Sequence, residues 1–386
     1  MSIPKLVVLL SSFLSVVAAW DIHNHNHRRA CQAPSRNPKS GCDHNKTLYV
    51  HQTSPTADFR SVQAAVASLP NNTNTYIILI GTGNYTEQVN VTRSGPTYLL
   101  GQTTSPKNYK ANTVNIIWRQ AALLGDNAYT STLTVAPNLN ASLTGSGPTG
   151  FAVPDDTPFG CVDFRSYNLN FINDYLPYSA TPSLALSISR ANGGFYYTGF
   201  YSYQDTIYVG KLGNAYMRGG EVAGQTDFFY GFGTLWATQI AVTLRSCGGG
   251  ITAWKGTNTT FPNKYGVYIT DSTILAANSS IAATIYHKCP LGRPWNAQHR
   301  SIFARNYLDD SILPAGYIDW SGRYNNYTLQ AEYQDYGPGY NATARAASNF
   351  TKVLTDREWE PYSSAKKVFG HPDGRLGWDS WVDYDA

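Results

Sequence analysis

Two short segments, each carrying one aspartate, stand 22 residues apart: Tyr203-Gln204-Asp205-Thr206-Ile207-Tyr208 and Gly224-Gln225-Thr226-Asp227-Phe228-Phe229-Tyr230. Subtracting 22 carries Asp227 onto Asp205, Gln225 onto Tyr203, Tyr230 onto Tyr208 and Val222 onto Phe200. A repeat of about 20–25 residues is the length of one coil of a stacked β-solenoid. Equivalent residues on consecutive coils of a parallel stack lie roughly 4.8 Å apart. Two carboxylates held that close divide their labour, one ionised as a nucleophile and one protonated as a general acid. A lone aspartate in a strand-rich chain is ordinarily a turn or cap residue; the coil-length spacing points to chemistry here.

The elements that must position this pair are short and β-rich. Runs at Tyr76-Ile77-Ile78 and Tyr98-Leu99-Leu100 are again 22 apart. Further runs follow at 113–118, 132–135, 162–172, 184–189, 195–201, 237–244, 267–275 and 302–308, separated by turn residues. Long helical patterns are absent between residues 71 and 340, and a helical pattern returns after Ala342. The reading is all-β, a right-handed parallel β-helix, with a β-sandwich as the competing arrangement. Leu48-Tyr49-Val50 starts the strands, and Asp58 is placed to cap a short helix whose Phe59, Val62, Val66 and Leu69 form one apolar stripe. Such a helix plugs the open end of a solenoid. Insertions at 136–160 and 246–264 break the period and are expected to project as loops.

Composition narrows the class. The chain has 386 residues, 42% hydrophobic, and only 14% charged, against about 25% in an average soluble protein. Tyrosine (28) and tryptophan (9) are abundant instead. A net charge of +4 with no basic run beyond Arg28-Arg29 gives nucleic-acid binding little support. Residues 1–19 read as a secretory signal peptide: Lys5, an apolar stretch from Leu6 to Val17, then Val17-Ala18-Ala19. That stretch is too short to span a bilayer and no later one reaches about 18 apolar residues, so the expectation is a secreted, extracellular protein with no membrane anchor. Ten Asn-x-Ser/Thr sequons agree, at Asn45, Asn71, Asn84, Asn90, Asn140, Asn258, Asn278, Asn326, Asn341 and Asn349.

Residues 20–46 form a polar segment with His23, His25 and His27 in alternation, read as a flexible leader, with a metal site as the alternative. Five cysteines leave at least one thiol unpaired within a monomer; Cys31 with Cys42 would staple the N-terminal segment, and Cys161 suits the core. Residues 47–360 are the expected catalytic domain and 361–386 a C-terminal tail, with Pro372 to Ala386 reading as loose.

At this level of detail the chain resembles the pectin methylesterases. The likeness runs over roughly residues 47–360, through DFRSVQAAV at 58–66, GNYTE at 83–87, YQDTIY at 203–208 and GQTDFFYG at 224–231. It continues through LGRPW at 291–295, YLDDSILPAGYIDW at 307–320 and EYQDYGPG at 332–339. The resemblance implies a parallel β-helix that removes methyl esters from methyl-esterified homogalacturonan (pectin), as a monomer and without metal or cofactor. By position it implies Asp227 as nucleophile, Asp205 as general acid and base, Arg293 as the partner of the nucleophile and Gln204 as an oxyanion donor. Trp295, Tyr208 and Tyr230 would line the sugar groove, while Asp309 and Asp310 fall in a structural stretch. One departure stands out. The family places a second glutamine one coil before YQDT, and counting back 22 from Gln204 reaches Pro182. Gln225, which shares strand parity with Asp227, is the candidate substitute donor.

Other classes make different demands. A retaining glycosidase also uses carboxylates about 5 Å apart. A β-helix lyase needs a calcium-binding carboxylate cluster, and none is visible. A serine esterase needs a Gly-x-Ser-x-Gly elbow, which the sequence lacks. A pectin-binding protein that has lost turnover would follow if the absent glutamine abolished catalysis.

Overall fold

In the computed structural model, residues 24–145, 150, 152–154, 156–256 and 264–386 are described. The signal-peptide reading, His23 and the Asn258 sequon lie outside them. Among the described residues the strands assemble into three sheets of eleven, eight and six strands. Every pairing between named strands is parallel. A complete coil contributes one strand to each sheet: Asn192–Tyr196, Gly199–Tyr201 and Ile207–Val209 form one, and Asn214–Arg218, Glu221–Gly224 and Phe229–Gly231 the next. This is a parallel β-helix, and a sandwich of antiparallel sheets is excluded.

The interior is built from ladders of identical position. Ile116, Phe171, Phe200, Val222, Val242, Ile274 and Leu308 stand in unbroken register across the eight-stranded sheet. All are at most 1% exposed. Phe171 and Phe200 stack at 5.6 Å, so aromatic contacts add to burial from rung to rung.

The outer face of the eleven-stranded sheet is apolar as well. In Tyr76–Ile80, Ile78 and Ile80 enter the interior core, while Ile77 and Leu79 join a second cluster outside it. Tyr98, Tyr167, Tyr196, Tyr216, Trp236 and Tyr268 extend that outer cluster, and Trp359, Phe369 and Trp381 from the C-terminal region cover it. Strands covered on both sides read as continuous apolar runs. This explains a shift of register. Tyr98 pairs with Ile77 rather than Tyr76, one residue off the 22-residue alignment. A one-residue slip exchanges the two faces of a strand, and a strand apolar on both faces gives no pattern to fix it.

Both termini depart from the expected loose segments. His25–Gln32 is a helix, capped by Asn24, and Cys31 is bonded to Cys42. Arg28 is buried, with its guanidinium 2.5 Å from Asp383 and 4.2 Å from the Tyr167 ring centroid. Tyr167 donates to the same carboxylate, and the backbone N–H of Asp383 donates to Tyr196. Thus the end of the tail is anchored, with Trp381 1% exposed and Val382 and Asp383 buried, because these residues seal the outer aromatic face together with the N-terminal helix. His25 and His27 lie on that helix, and no metal-holding group of three His, Cys, Asp or Glu occurs among the described residues. Ser61, not Asp58, caps the helix Val62–Ala67. Asp58 instead accepts from the Tyr49 N–H and pairs with Lys39. The helical pattern after Ala342 is present as Ala342–Ala347, and Cys161 is a buried free thiol.

Removing one partner of a buried ion pair strands the other charge. Arg28→Met is therefore expected to lower unfolding stability by about 3–5 kcal/mol, and Arg28→Met with Asp383→Leu to recover most of that loss. Denaturant unfolding of the single and double variants measures both values; equal losses in the two would contradict the clamp.

Candidate active site

Between the second and third strand of each coil the chain turns, and both aspartates sit in that turn. Ile207 pairs with Phe229, Tyr208 with Tyr230, and Gln204 bridges Thr226, each 22 residues on. The aspartates share a conformation too, with φ of 59° at Asp205 and 48° at Asp227. Aspartate tolerates this left-handed region better than most residues. The Asp205 N–H donates to the Thr226 carbonyl, and the Asp227 N–H to the Gly250 carbonyl. Asp205 and Asp227 therefore occupy equivalent places on adjacent rungs, with Gly250 on the rung beyond.

Arg293 reaches the pair from the next rung. Thr252 bridges Gly292, Arg293 N–H donates to the Thr252 carbonyl, and a disulfide from Cys247 to Cys289 ties this segment to the Asp227 side of the coil. Arg293 Nε and Nη2 donate to the two oxygens of Asp227 at 2.9 and 2.6 Å. Gly250 N–H adds a third bond to Oδ1 at 3.0 Å. The guanidinium lies 3.6 Å from the centroid of Trp320, which meets Trp295 edge-on at 4.7 Å. A planar fork stacked on an indole is a fixed one.

The two carboxyls differ in surroundings. Burial pushes Asp227 up from the ordinary carboxylate range, and the Arg293 fork and the Gly250 N–H push back. Asp205 is driven well above that range, by burial first and then by the negative charge of Asp227; Lys255 and Arg293 oppose the shift. One acid is thus held by a guanidinium and its neighbour favours a proton, the division that nucleophile and acid require.

The remaining predicted residues gather around the pair. Ser179 Oγ donates to Gln204 Oε1 at 3.0 Å, and Ser179 N–H donates to Gln225 Oε1 at 3.2 Å. One serine thus anchors both carbonyl ends and leaves each Nε2 as the donor end. Trp295 is half-buried. Tyr208 and Tyr230, expected to line the sugar groove, are 2% and 3% exposed. Their rings lie 4.9 Å apart, in one buried cluster with Leu184, Phe232 and Ala253. In the insertion after Val135, Thr144 and Gly145 bond Asp126 and Gly150 packs against Phe232, so these residues lie back on the coil, while Asn138 to Asn140 are exposed. Asp309 accepts from the Ala276 and Ser311 N–H groups, a structural use.

Sequence reasoning missed three side chains here. Lys255 follows the strand Thr252–Trp254, with its ammonium 4.3 Å from the Trp295 centroid and 4.9 Å from that of Phe232; burial pushes its pKa down to about 7. Asn127 donates to Asp205 Oδ2. Trp320 lay within a quoted motif, but nothing marked it as the platform for Arg293.

A family model described as Pectinesterase matches residues 108–371. The chain belongs to the pectinesterase family. A relative in Aspergillus fumigatus described as "Probable pectinesterase A" is 29% identical over 330 residues, covering 84% of this chain and 86% of the relative. The crystal structure of the pectin methylesterase from Aspergillus niger in deglycosylated form matches with a TM-score of 0.70 at 23% identity, over 88% of this chain and 97% of that one. A pectin methylesterase solved in complex with a hexasaccharide matches with a TM-score of 0.64 at 22% identity, over 85% of this chain and 98% of that one. Pectinesterases are carboxylic-ester hydrolases, and the fold of this one is that of the solved enzymes.

Gly249 packs directly against the ion pair. Its φ is 83°, and a Cβ there would come within 2.7 Å of both Asp227 Oδ1 and the Arg293 guanidinium. Displacing a reacting group by about 1 Å costs roughly a hundredfold in rate. Gly249→Ala is expected to lose about that much esterase turnover while its melting curve stays cooperative; a rate unchanged within threefold would show that the contact is slack.

Proposed function

We propose that this pectinesterase is a secreted monomer that removes methyl esters from homogalacturonan and releases methanol, with Asp227 as nucleophile. The observation that carries the reading is the two-pronged Arg293–Asp227 pair one rung from Asp205, a buried carboxyl whose surroundings favour its protonated form. Membership of the family and the hexasaccharide bound by a solved relative support an oligosaccharide of pectin as the substrate class. The cationic groups Lys255, Arg293 and Arg323 beside Trp295 and Trp320 suit a polymer of acidic sugars.

An oxygen of Asp227 attacks the methyl-ester carbonyl carbon. The guanidinium keeps that carboxylate charged and aimed. Negative charge builds on the carbonyl oxygen and receives hydrogen bonds from Gln204 Nε2, with Gln225 as the second donor. Collapse breaks the carbon–methoxy bond, and Asp205 gives its proton to the departing methoxide, which leaves as methanol. An anhydride of Asp227 with the sugar carboxyl remains, beside an ionised Asp205. That carboxylate takes a proton from water, whose oxygen attacks the acyl carbon. Asp227 departs as a carboxylate, returns to Arg293, and Asp205 has regained its proton.

Esterified pectin should yield methanol, without new reducing ends or unsaturated product. Asp227→Ala should reduce release about a thousandfold or more. Gln204→Ala and Gln225→Ala should each cost about a hundredfold in kcat. Activity should fall at low pH as Asp227 takes up a proton, and at high pH as Asp205 loses the one its raised pKa retains. Persistent methanol release from Asp227→Ala would remove that residue from the reaction, and reducing ends in its place would point to glycosidic cleavage.

A further inference from the structure

The position one coil before Gln204 holds Pro182, which has no side-chain donor. A different amide reaches the acid from further away. Asn127 opens the short 3₁₀ turn Asn127–Thr130, ahead of the strand Leu133–Val135. That strand lies two rungs before Ile207–Val209, with Leu186–Ile188 between them. The Asn127 side chain nevertheless spans the gap. Its Nδ2 donates to Asp205 Oδ2 at 3.1 Å and to the Tyr230 hydroxyl at 3.4 Å.

The turn is braced for this reach. Asp126 accepts from the Ala128, Thr144 and Gly145 N–H groups and from the Thr144 hydroxyl. Thr130 Oγ1 donates to the Asn127 carbonyl and itself accepts from the Leu184 N–H of the intervening rung. The insertion after Val135 thus holds the turn from one side and the coil holds it from the other.

We propose that Asn127 is a positioning residue that fixes which oxygen of Asp205 carries the transferable proton. An amide NH2 only donates, and a protonated carboxyl has one oxygen that only accepts. The bond to Oδ2 therefore assigns the proton to Oδ1. After Asp205 has given that proton to methoxide, the same N–H stabilises the charge left behind, since a hydrogen bond to the ionised form favours it. The charged groups that act on Asp205 are Asp227, Lys255 and Arg293; the titratable Tyr230 hydroxyl lies beside it, and Asn127 is a neutral donor to both. This inference rests on the reading of Asp205 as the acid.

The test is the pH dependence of methanol release from esterified pectin by Asn127→Ala, Asn127→Asp and Asp205→Asn. Loss of the donor should raise the pKa of Asp205. Asn127→Ala is expected to lower kcat by about 10- to 100-fold, within what general acid–base catalysis supplies, with KM within twofold and the alkaline limb of kcat moved to higher pH. Asn127→Asp keeps the size of the side chain and adds a negative charge, so the limb should move further in the same direction. It also keeps the test alive if the alanine loosens the turn. A fall in kcat with an unmoved alkaline limb in both variants would reduce Asn127 to a structural brace and overturn the proposal. Methanol release that survives Asp205→Asn would instead overturn the reading of Asp205 itself.

Discussion

The site depends on a turn that recurs at the same length on two successive rungs. Gln204 bridges Thr226, and two residues beyond each aspartate Ile207 and Phe229 pair as parallel strands. With that register fixed from both sides of the turn, the aspartates between have no freedom to part. Both take a left-handed backbone, so their side chains leave the coil in the same direction. Carboxylates so placed repel each other, and the fold holds them against that repulsion with interior ladders on either side. Cooperative stacking is what lets a solenoid place like charges together, because each rung is locked by its neighbours.

Burial gives the pair its use. Desolvation raises both acids, and alone it would favour protonation of both. Arg293 breaks the symmetry by giving its whole fork to Asp227. The fork is in turn held by Trp320, by Gly249, which leaves room for it, and by a disulfide that joins its segment to the preceding turn. Asp205 accepts from the Asn127 side chain, and Lys255 and Arg293 oppose its upward shift. Two residues of one chemical type thereby meet different surroundings, Asp205 driven further toward its protonated form than Asp227. The buried rings of Tyr208 and Tyr230 belong to the same apolar surroundings, and a low dielectric strengthens every one of these interactions.

The coil period was legible in the sequence where insertions leave it intact, which is why Asp205, Asp227 and the 22-residue register of their strands could be read directly. Arg293 could be placed only through the resemblance, since its rung is reached after an insertion that erases the period. The first strands misled by one residue because covering both faces of a sheet removes the alternation that sets register. Arg28 and Asp383 are 355 residues apart, and nothing local announces that they meet. Asn127 was hidden for the same reason: it arrives 78 residues upstream of Asp205 and from two rungs away. Tyr208 and Tyr230 stand out as an aromatic pair 22 residues apart, but their near-complete burial has no local signal, since the insertion after Val135 that packs on neighbouring Phe232 carries no period of its own.

The unequal protonation of the two aspartates is open to direct observation. Carboxyl carbons in protein labelled with 13C-aspartate, followed by NMR from pH 4 to pH 9, report each acid once Asp205→Asn and Asp227→Asn have assigned the signals. We expect one signal, lost in Asp205→Asn, to remain protonated at neutral pH, and the signal lost in Asp227→Asn to be that of a carboxylate there. Two carboxylates at neutral pH, or a proton residing on Asp227, would contradict the division of roles between them.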